Sequence, residues 1–269
     1  MYRWDPEDYS KHSSAQESWA RELISKLRLK GSERVLDIGC GDGKVTAQIA
    51  RCLPRGSVLG IDSSPDMIGF AGDSFAGKSA NLDFQCIDVR GMDFTDEFDV
   101  VFSNAALHWV ADHAPVLHKM GRSLKSSGKI LLQMAGKGNA SAIVGAMGRL
   151  TGQGRWSAYF HEFSFPYAFY GDEDYYFLVE AAGLVPVRIE LIPKIMTHNG
   201  REGLTGWIRT TWLPYIERIP VDLRDDFIEA LTGDFEKEHP PDEEGFFHIK
   251  MVRLEVEAVK KSRSKSASA

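Results

Sequence analysis

The segment Val35-Leu-Asp-Ile-Gly-Cys-Gly-Asp-Gly-Lys44 concentrates residues able to do chemistry: an apolar run ends in an acid, and glycines at 39, 41 and 43 then open a helical pattern. Glycine lets a backbone approach a ligand with no Cβ in the way, and ligands of open α/β sheets sit beyond the carboxyl ends of the strands. The spacing is G-x-G-x-G, not the G-x-G-x-x-G of dinucleotide sites. Acids stand at Asp37, on the strand end, and at Asp42, inside the turn. Two carboxylates there would repel a pyrophosphate with little water to screen them. A phosphate-free cofactor carrying an ammonium and a sulfonium suits the turn better. Its carboxylate would meet N–H groups of the turn that runs from Gly39 through Cys40 and Gly41 to Gly43, and Asp37 would orient its α-ammonium. S-adenosylmethionine has these groups.

Two more acids extend the pattern. Val58-Leu-Gly-Ile-Asp62 ends the second apolar run, roughly 20 residues after the glycine turn, the spacing at which a carboxylate accepts from ribose hydroxyls. Ser63 and Met67 follow it and belong to the expected cofactor contacts. Phe84-Gln-Cys-Ile-Asp88 ends the third run, where Asp88 would accept from the adenine amino group and Val89 would offer backbone groups to the ring edge. Acids at three consecutive strand ends are harder to obtain by chance than one glycine turn.

These positions require a particular scaffold. Short apolar runs at 35–38, 58–61, 82–87, 98–102 and 129–133 alternate with helical patterns at 44–53, 65–73 and 115–124. Such alternation predicts right-handed βαβ units and a doubly wound, mostly parallel α/β sheet. Ahead of them, Ser14-x-x-Glu17 reads as a capping box for an amphipathic helix over 15–29. Beyond Ala135 the rhythm breaks: a helix over 140–150, an aromatic stretch over 156–170, a helix over 172–182 closed by Gly183, a strand over 185–192, two helices within 200–237, and a last, antiparallel strand over 248–259. The expected organisation is an N-terminal helical lid over 1–30 and one cofactor-binding core made of 31–138 and 184–260. Cap insertions fall at about 139–170 and 193–245, and a flexible tail over 261–269.

Composition sets outer bounds. With 269 residues, 43% hydrophobic and 26% charged, the chain can bury a full core. No apolar run approaches the roughly 20 residues needed to span a bilayer, and the polar start is unlike a secretory signal, so no membrane partner is expected and the cytoplasm is the default location. Cys40, Cys52 and Cys86 have neither disulfide nor zinc spacing, so no metal is expected. A formal charge of −6 argues against nucleic acid as a partner.

From Arg34 to Gly136 the chain resembles the class I S-adenosylmethionine-dependent methyltransferases, through Asp37-Ile-Gly-Cys-Gly-Asp-Gly43, Asp62, Asp88 and Phe98-Asp-Val-Val-Phe-Ser-Asn-Ala-Ala-Leu-His-Trp109. The resemblance implies a Rossmann-like, seven-stranded sheet with the last strand antiparallel. More narrowly, Trp4-Asp-Pro beside Tyr9, Ser103-Asn-Ala-Ala-Leu-His-Trp109, Gly206-Trp-Ile-Arg209 and Pro240-Pro-Asp-Glu-Glu-Gly245 look like the trans-aconitate methyltransferase group. That group usually carries glutamine where this chain has His108, which is nearer to juvenile hormone acid methyltransferases.

The expected reaction is methyl transfer to a small molecule, with the carboxylate of a small organic acid as one acceptor and a phenol, amine or carbon as the alternative. An in-line displacement asks chiefly for geometry and exclusion of water, and a carboxylate needs no general base at neutral pH. Asn104 and the pair His108-Trp109 should face the methionine end of the cofactor. His108 is the candidate acceptor contact, as donor or as base, with packing as the competing reading. Tyr9, Gln16 and His12 belong to the expected lid, where Tyr9 and His12 would reach the reacting groups and Gln16 the cofactor. Trp109 and Trp212 should wall the acceptor pocket, and Arg209, among aromatics, should grip an acidic acceptor. Rival readings are a nucleic-acid methyltransferase, a nicotinamide-dependent oxidoreductase, and a module that binds the cofactor without turnover.

Overall fold

The computed structural model describes residues 5–8, 14–75, 77 and 79–262, with the side chains of 14–17 outside that description. The expectations placed on Tyr9, His12 and the Gln16 side chain therefore lie outside the described residues, as do the capping-box side chains and most of the tail.

Among the described residues, seven strands form one sheet: β1 (Arg34–Ile38), β2 (Ser57–Asp62), β3 (Leu82–Cys86), β4 (Phe98–Asn104), β5 (Leu124–Ala135), β6 (Leu184–Asn199) and β7 (Phe246–Lys260). Their order is β3-β2-β1-β4-β5-β7-β6, parallel through β5, with β7 antiparallel to both neighbours. Successive residues of a strand face opposite sides of the sheet. Val35 joins Val58, Val100 and Phe102 beneath Leu23 and Leu27 of α1 (Ser14–Leu27) and Ile49 of α2 (Lys44–Arg51). Leu36 instead joins Ile61, Val101 and Ile130 against Leu117 of α4 (Ala114–Ser123) and Tyr175 of α6 (Asp172–Ala181). The central strands β1, β2 and β4 are buried on both faces, as parallel strands covered by crossover helices must be, whereas β3 and β6 at the edges are partly exposed. Between β2 and β3 lies α3 (Pro65–Phe75), begun by Ser64, whose Oγ accepts the Met67 N–H at 3.3 Å.

The cap is built from α5 (Ser141–Gly152), α7 (Gly200–Thr211), α8 (Leu213–Ile216) and α9 (Arg224–Glu238), with 3-10 helix over Gly154–Phe160 where the aromatic stretch fits no regular period. Its core is aromatic: Trp156, Phe160, Trp207, Trp212, Tyr215 and Phe227 pack with Trp19 of α1 and Met251 of β7. Each such side chain, fully buried, contributes about 1.5–3 kcal/mol or more.

Two departures from the sequence expectation bear on the cap. The sixth strand runs to Asn199, not Ile192, paired with β7 along its whole length from Leu184↔Lys260 to Asn199↔Phe246. Pro186 and Pro193 are tolerated because β6 is the sheet edge, where an outward position needs no ladder donor. The second cap insertion accordingly begins at 200. It holds three α-helices, because Pro214 opens a separate short helix after α7.

Candidate functional site

The strand order reverses between β1 and β4, so the connections after these strands diverge and leave a crevice at their carboxyl ends. A cavity of about 550 Å³ occupies it. Its walls include Ile38, Gly39 and Gly41 from the turn after β1, Asp62, Ser63 and Met67 after β2, Asp88, Val89 and Arg90 after β3, Ala105 and Trp109 after β4, and Glu217 from the cap.

The glycine turn is built for clearance. Gly39 sits at φ 72°, and a Cβ there would fall 2.1 Å from the Cβ of Ala106. At Gly41, with φ 53°, a Cβ would meet nothing within 4 Å, so the residue leaves open space above the sheet. The expectation that the turn's N–H groups would receive the cofactor's carboxylate is corrected here. Gly39 and Cys40 both donate to the Ile61 carbonyl at 2.8 and 3.1 Å, Gly43 donates to the Cys40 carbonyl at 3.0 Å, and Gly41 donates to Asp62 Oδ2 at 3.1 Å. Those donors hold the turn's shape against β2.

Asp62 is the best-placed of the predicted acids. Oδ2 accepts from Gly41 and Oδ1 from the Ser64 N–H at 2.9 Å, which fixes the carboxylate at the cavity wall. Burial raises its pKa, opposed by these backbone donors. Asp88 also lines the cavity, forked onto the Arg90 guanidinium (Nε to Oδ1 2.9 Å and to Oδ2 3.1 Å) and accepting the Arg90 N–H at 2.8 Å. Arg90 holds this carboxyl below the usual range, and Asp88 in turn neutralises the cation on that wall.

Four other predicted contacts stand back from the wall. Asp37 is 2% exposed and accepts the Thr46 hydroxyl at 2.7 Å. Burial pushes its pKa up to about 7. It therefore braces β1 against α2 below the turn instead of facing the cavity. Cys40 packs beside Gly60, where a Cβ would come within 3.0 Å of the Cys40 Sγ. Gly43 abuts Ala71 and Phe84, and Asn104 sits in the β4–β5 ladder opposite Gln133.

A second, smaller cavity of about 60 Å³ lies between the sheet and the cap. Ala105 and Trp109 line both cavities and so form their common wall. Ala105 holds φ 56°, a left-handed backbone rare for a residue with a Cβ, at the point where the two spaces meet. The short turn Leu107–Trp109 is fastened from below by His113, whose Nε2–H donates to the Leu107 carbonyl at 2.8 Å while Nδ1 accepts from the Tyr175 hydroxyl at 3.0 Å. This turn carries His108 into the smaller cavity, whose lining also includes Trp212, and not into the larger one. His108 is buried, and burial, then the Arg253 cation, drive its pKa well below the usual value. It is a neutral imidazole and a poor base.

Arg209 is a correction. It faces outward and forks onto Asp8, with Nε to Oδ2 at 2.9 Å and Nη2 to Oδ1 at 2.8 Å. Residues two apart on a helix lie about 200° apart around it, so burial of Trp207 turns Arg209 to the surface. Among the described residues, Arg253 of β7 is a buried cation on the cap side, which the sequence reading missed. Its signal was present: Phe247, Ile249, Met251, Arg253 and Glu255 share one face of a strand, and two charges there break an apolar alternation. Arg90, Ala105 and Glu217 were missed as well, having no pattern apart from their place in space.

Among known proteins, the family described as Methyltransferase domain matches residues 35–128. An uncharacterized methyltransferase of Schizosaccharomyces pombe, C70.08c, is 30% identical over 75% of this chain and 78% of that protein. A trans-aconitate 2-methyltransferase of Deinococcus radiodurans is 28% identical over 88% of this chain and 92% of that one. The solved structure of a Haemonchus contortus phosphoethanolamine N-methyltransferase 2, in complex with S-adenosyl-L-methionine, superposes with a TM-score of 0.56 at 19% identity, covering 91% of this chain and 53% of that one. A switch-point cavity floored by a G-x-G-x-G turn and walled by acids after β2 and β3, on a sheet ending in an antiparallel seventh strand, agrees with this kinship: the chain belongs to the class I S-adenosylmethionine-dependent methyltransferases.

Proposed function

We propose that this enzyme methylates the carboxylate of a small organic acid held between sheet and cap. The observation that carries the reading is the shared wall: the large cavity at the strand ends meets the small aromatic one at Ala105 and Trp109. A cofactor in the first would thus present its methyl group to an acceptor in the second.

The larger cavity suits the cofactor by its donor and acceptor set. Asp62 would accept from a ribose diol, Asp88 and the backbone of Val89 would serve the adenine edge, and Met67 with Ile38 would supply apolar wall, all of them lining the cavity. Gly41 keeps the space free of a side chain. Bound there, the cofactor would supply an electrophilic methyl to an ionised carboxylate oxygen, with the electron pair of the broken C–S bond left on sulfur and no proton to remove. Trp109 shields the junction from water, and the His113 bond to Leu107 keeps its turn in place.

A carboxylate acceptor matches the state of His108. A phenol or amine would ask for a base near neutrality, whereas this imidazole has its basicity suppressed by burial and by Arg253. The similarity to a protein named trans-aconitate 2-methyltransferase points the same way. The test is incubation with methyl-labelled cofactor against a panel of small carboxylic acids, phenols and amines. Label released by mild base as methanol supports the reading, and base-stable product from the preferred acceptor rejects it.

A further inference from the structure

The small cavity is walled by more hydrogen-bond donors than its aromatic lining suggests. Trp207, Thr211, Trp212 and His108 all line it. The Nε1 of both tryptophans, the Thr211 Oγ1 and the His108 Nδ1 are buried without a hydrogen-bond partner among the described residues. Buried polar atoms are nearly always satisfied, so a cluster of orphans around one cavity marks a place where a ligand completes the set. The ligand's chemistry follows from theirs. An indole N–H only donates, and a hydroxyl and a neutral imidazole can each donate, so the missing partner is rich in acceptors.

Arg253 gives that partner its charge. The residue is 3% exposed, lines the same cavity, and holds its guanidinium carbon 5.3 Å from the ring centroid of Trp19. A guanidinium matches a carboxylate in a forked contact, and in an apolar enclosure that contact is stronger than in water. On the same strand face, Glu255 is bonded by Lys26 at 3.0 Å, by Gln133 at 3.2 Å and by Arg188, which ties α1 and β6 to β7 and keeps the Arg253 backbone in a fixed place. The reacting oxygen must lie at the junction by Ala105 and Trp109, so the donors beyond it address a different group of the acceptor.

We propose that Arg253, with Trp212, Thr211 and His108, forms an anion site that anchors a second, unreacting carboxylate of the acceptor. The enzyme is thereby selective for dicarboxylates over monocarboxylates of equal length. This rests on the carboxyl-methylation reading and adds to it the substrate's second charge.

The test uses full-length protein saturated with S-adenosylhomocysteine, titrated with succinate and fumarate against butyrate and crotonate, and read by quenching of tryptophan fluorescence. Wild type should bind the dicarboxylates at least tenfold more tightly. Arg253→Met should abolish that preference, Arg253→Lys should keep part of it, and both should retain the wild-type affinity for S-adenosylhomocysteine, which reports an intact core. A dicarboxylate preference that survives in Arg253→Met overturns the site, as does an equal loss for both acid classes. Because this readout is binding, it stands apart from the ester assay: esters formed with no Arg253-dependent preference overturn this site alone, and base-stable products overturn the reading beneath it.

Discussion

Arg209 and Asp8 form a two-point bridge, 2.9 and 2.8 Å, that fastens the chain's N-terminal segment to the outer face of α7. The Arg209 side chain is 46% exposed, so the pair is worth about 0.2–1 kcal/mol after solvent screening. Arg209→Ala should leave the acceptor KM within about twofold and should quicken limited proteolysis of the N-terminal segment. A tenfold rise in acceptor KM with unaltered proteolysis would return Arg209 to the acceptor site.

Asp62 has both oxygens engaged by backbone N–H groups of two loops, and its remaining lone pairs face the cavity it lines. Asn at this position keeps one acceptor oxygen and loses the charge. Asp62→Asn should weaken binding of S-adenosylhomocysteine by about 10- to 100-fold, the range for hydrogen bonds to a charged group. Calorimetric titration that finds an unchanged affinity would take the ribose role away from this residue.

At Gly39 the objection to a side chain is twofold: a left-handed backbone and a 2.1 Å approach to the Ala106 Cβ. Gly39→Ala should destabilise the fold by about 2 kcal/mol or more, which lowers Tm by roughly 5 °C in a chain of this size. Adding Ala106→Gly should recover part of the loss by relieving the contact while the backbone strain stays. Thermal unfolding of the single and double variants measures both components.

Asp37 gives the stability a pH signature. Its folded pKa, about 7, lies above the value near 3.8 of an unperturbed carboxyl, because burial penalises the charged form. The stabilisation associated with the neutral acid is therefore complete below about pH 4 and lost as pH rises through about 7. Asp37→Asn stays neutral throughout and still accepts from Thr46. Its stability relative to wild type should grow between pH 4 and pH 8, by up to about 4 kcal/mol. Urea unfolding at several pH values checks this, and a pH-independent difference would contradict it.

His108 stays neutral across the working range because burial and the Arg253 cation oppose its protonation. His108→Gln, which keeps a donor and an acceptor on a side chain of similar reach, should retain kcat within about tenfold, and the pH–rate profile from pH 6 to 9 should keep its shape. A loss of a thousandfold together with loss of a pH limb would make His108 a general base.

Part of the lining of the larger cavity was legible in the order of the residues. The glycine turn, Asp62 and Asp88 are defined by short-range geometry: a strand ends, a turn must reverse without a Cβ at Gly39, and each acid stands at or just beyond the end of its strand. Parallel βαβ topology then brings those three ends together, because right-handed crossovers leave little choice. Of the smaller cavity the sequence offered His108, Trp109 and Trp212 as separate candidates, but neither their meeting nor Arg253. Arg253, His108 and Trp212 come from β7, the turn after β4 and the end of α7, far apart in the chain and joined only where the cap closes on the sheet. Local period misled at Arg209, since the phase of α7 is set by which aromatic residues the cap core buries, Trp207 among them. Residue type alone likewise suggested free N–H groups and an exposed Asp37, and only the packed structure committed those groups to β2 and to Thr46. Local covalent geometry carries a turn, while the partner of a buried charge is decided by tertiary packing.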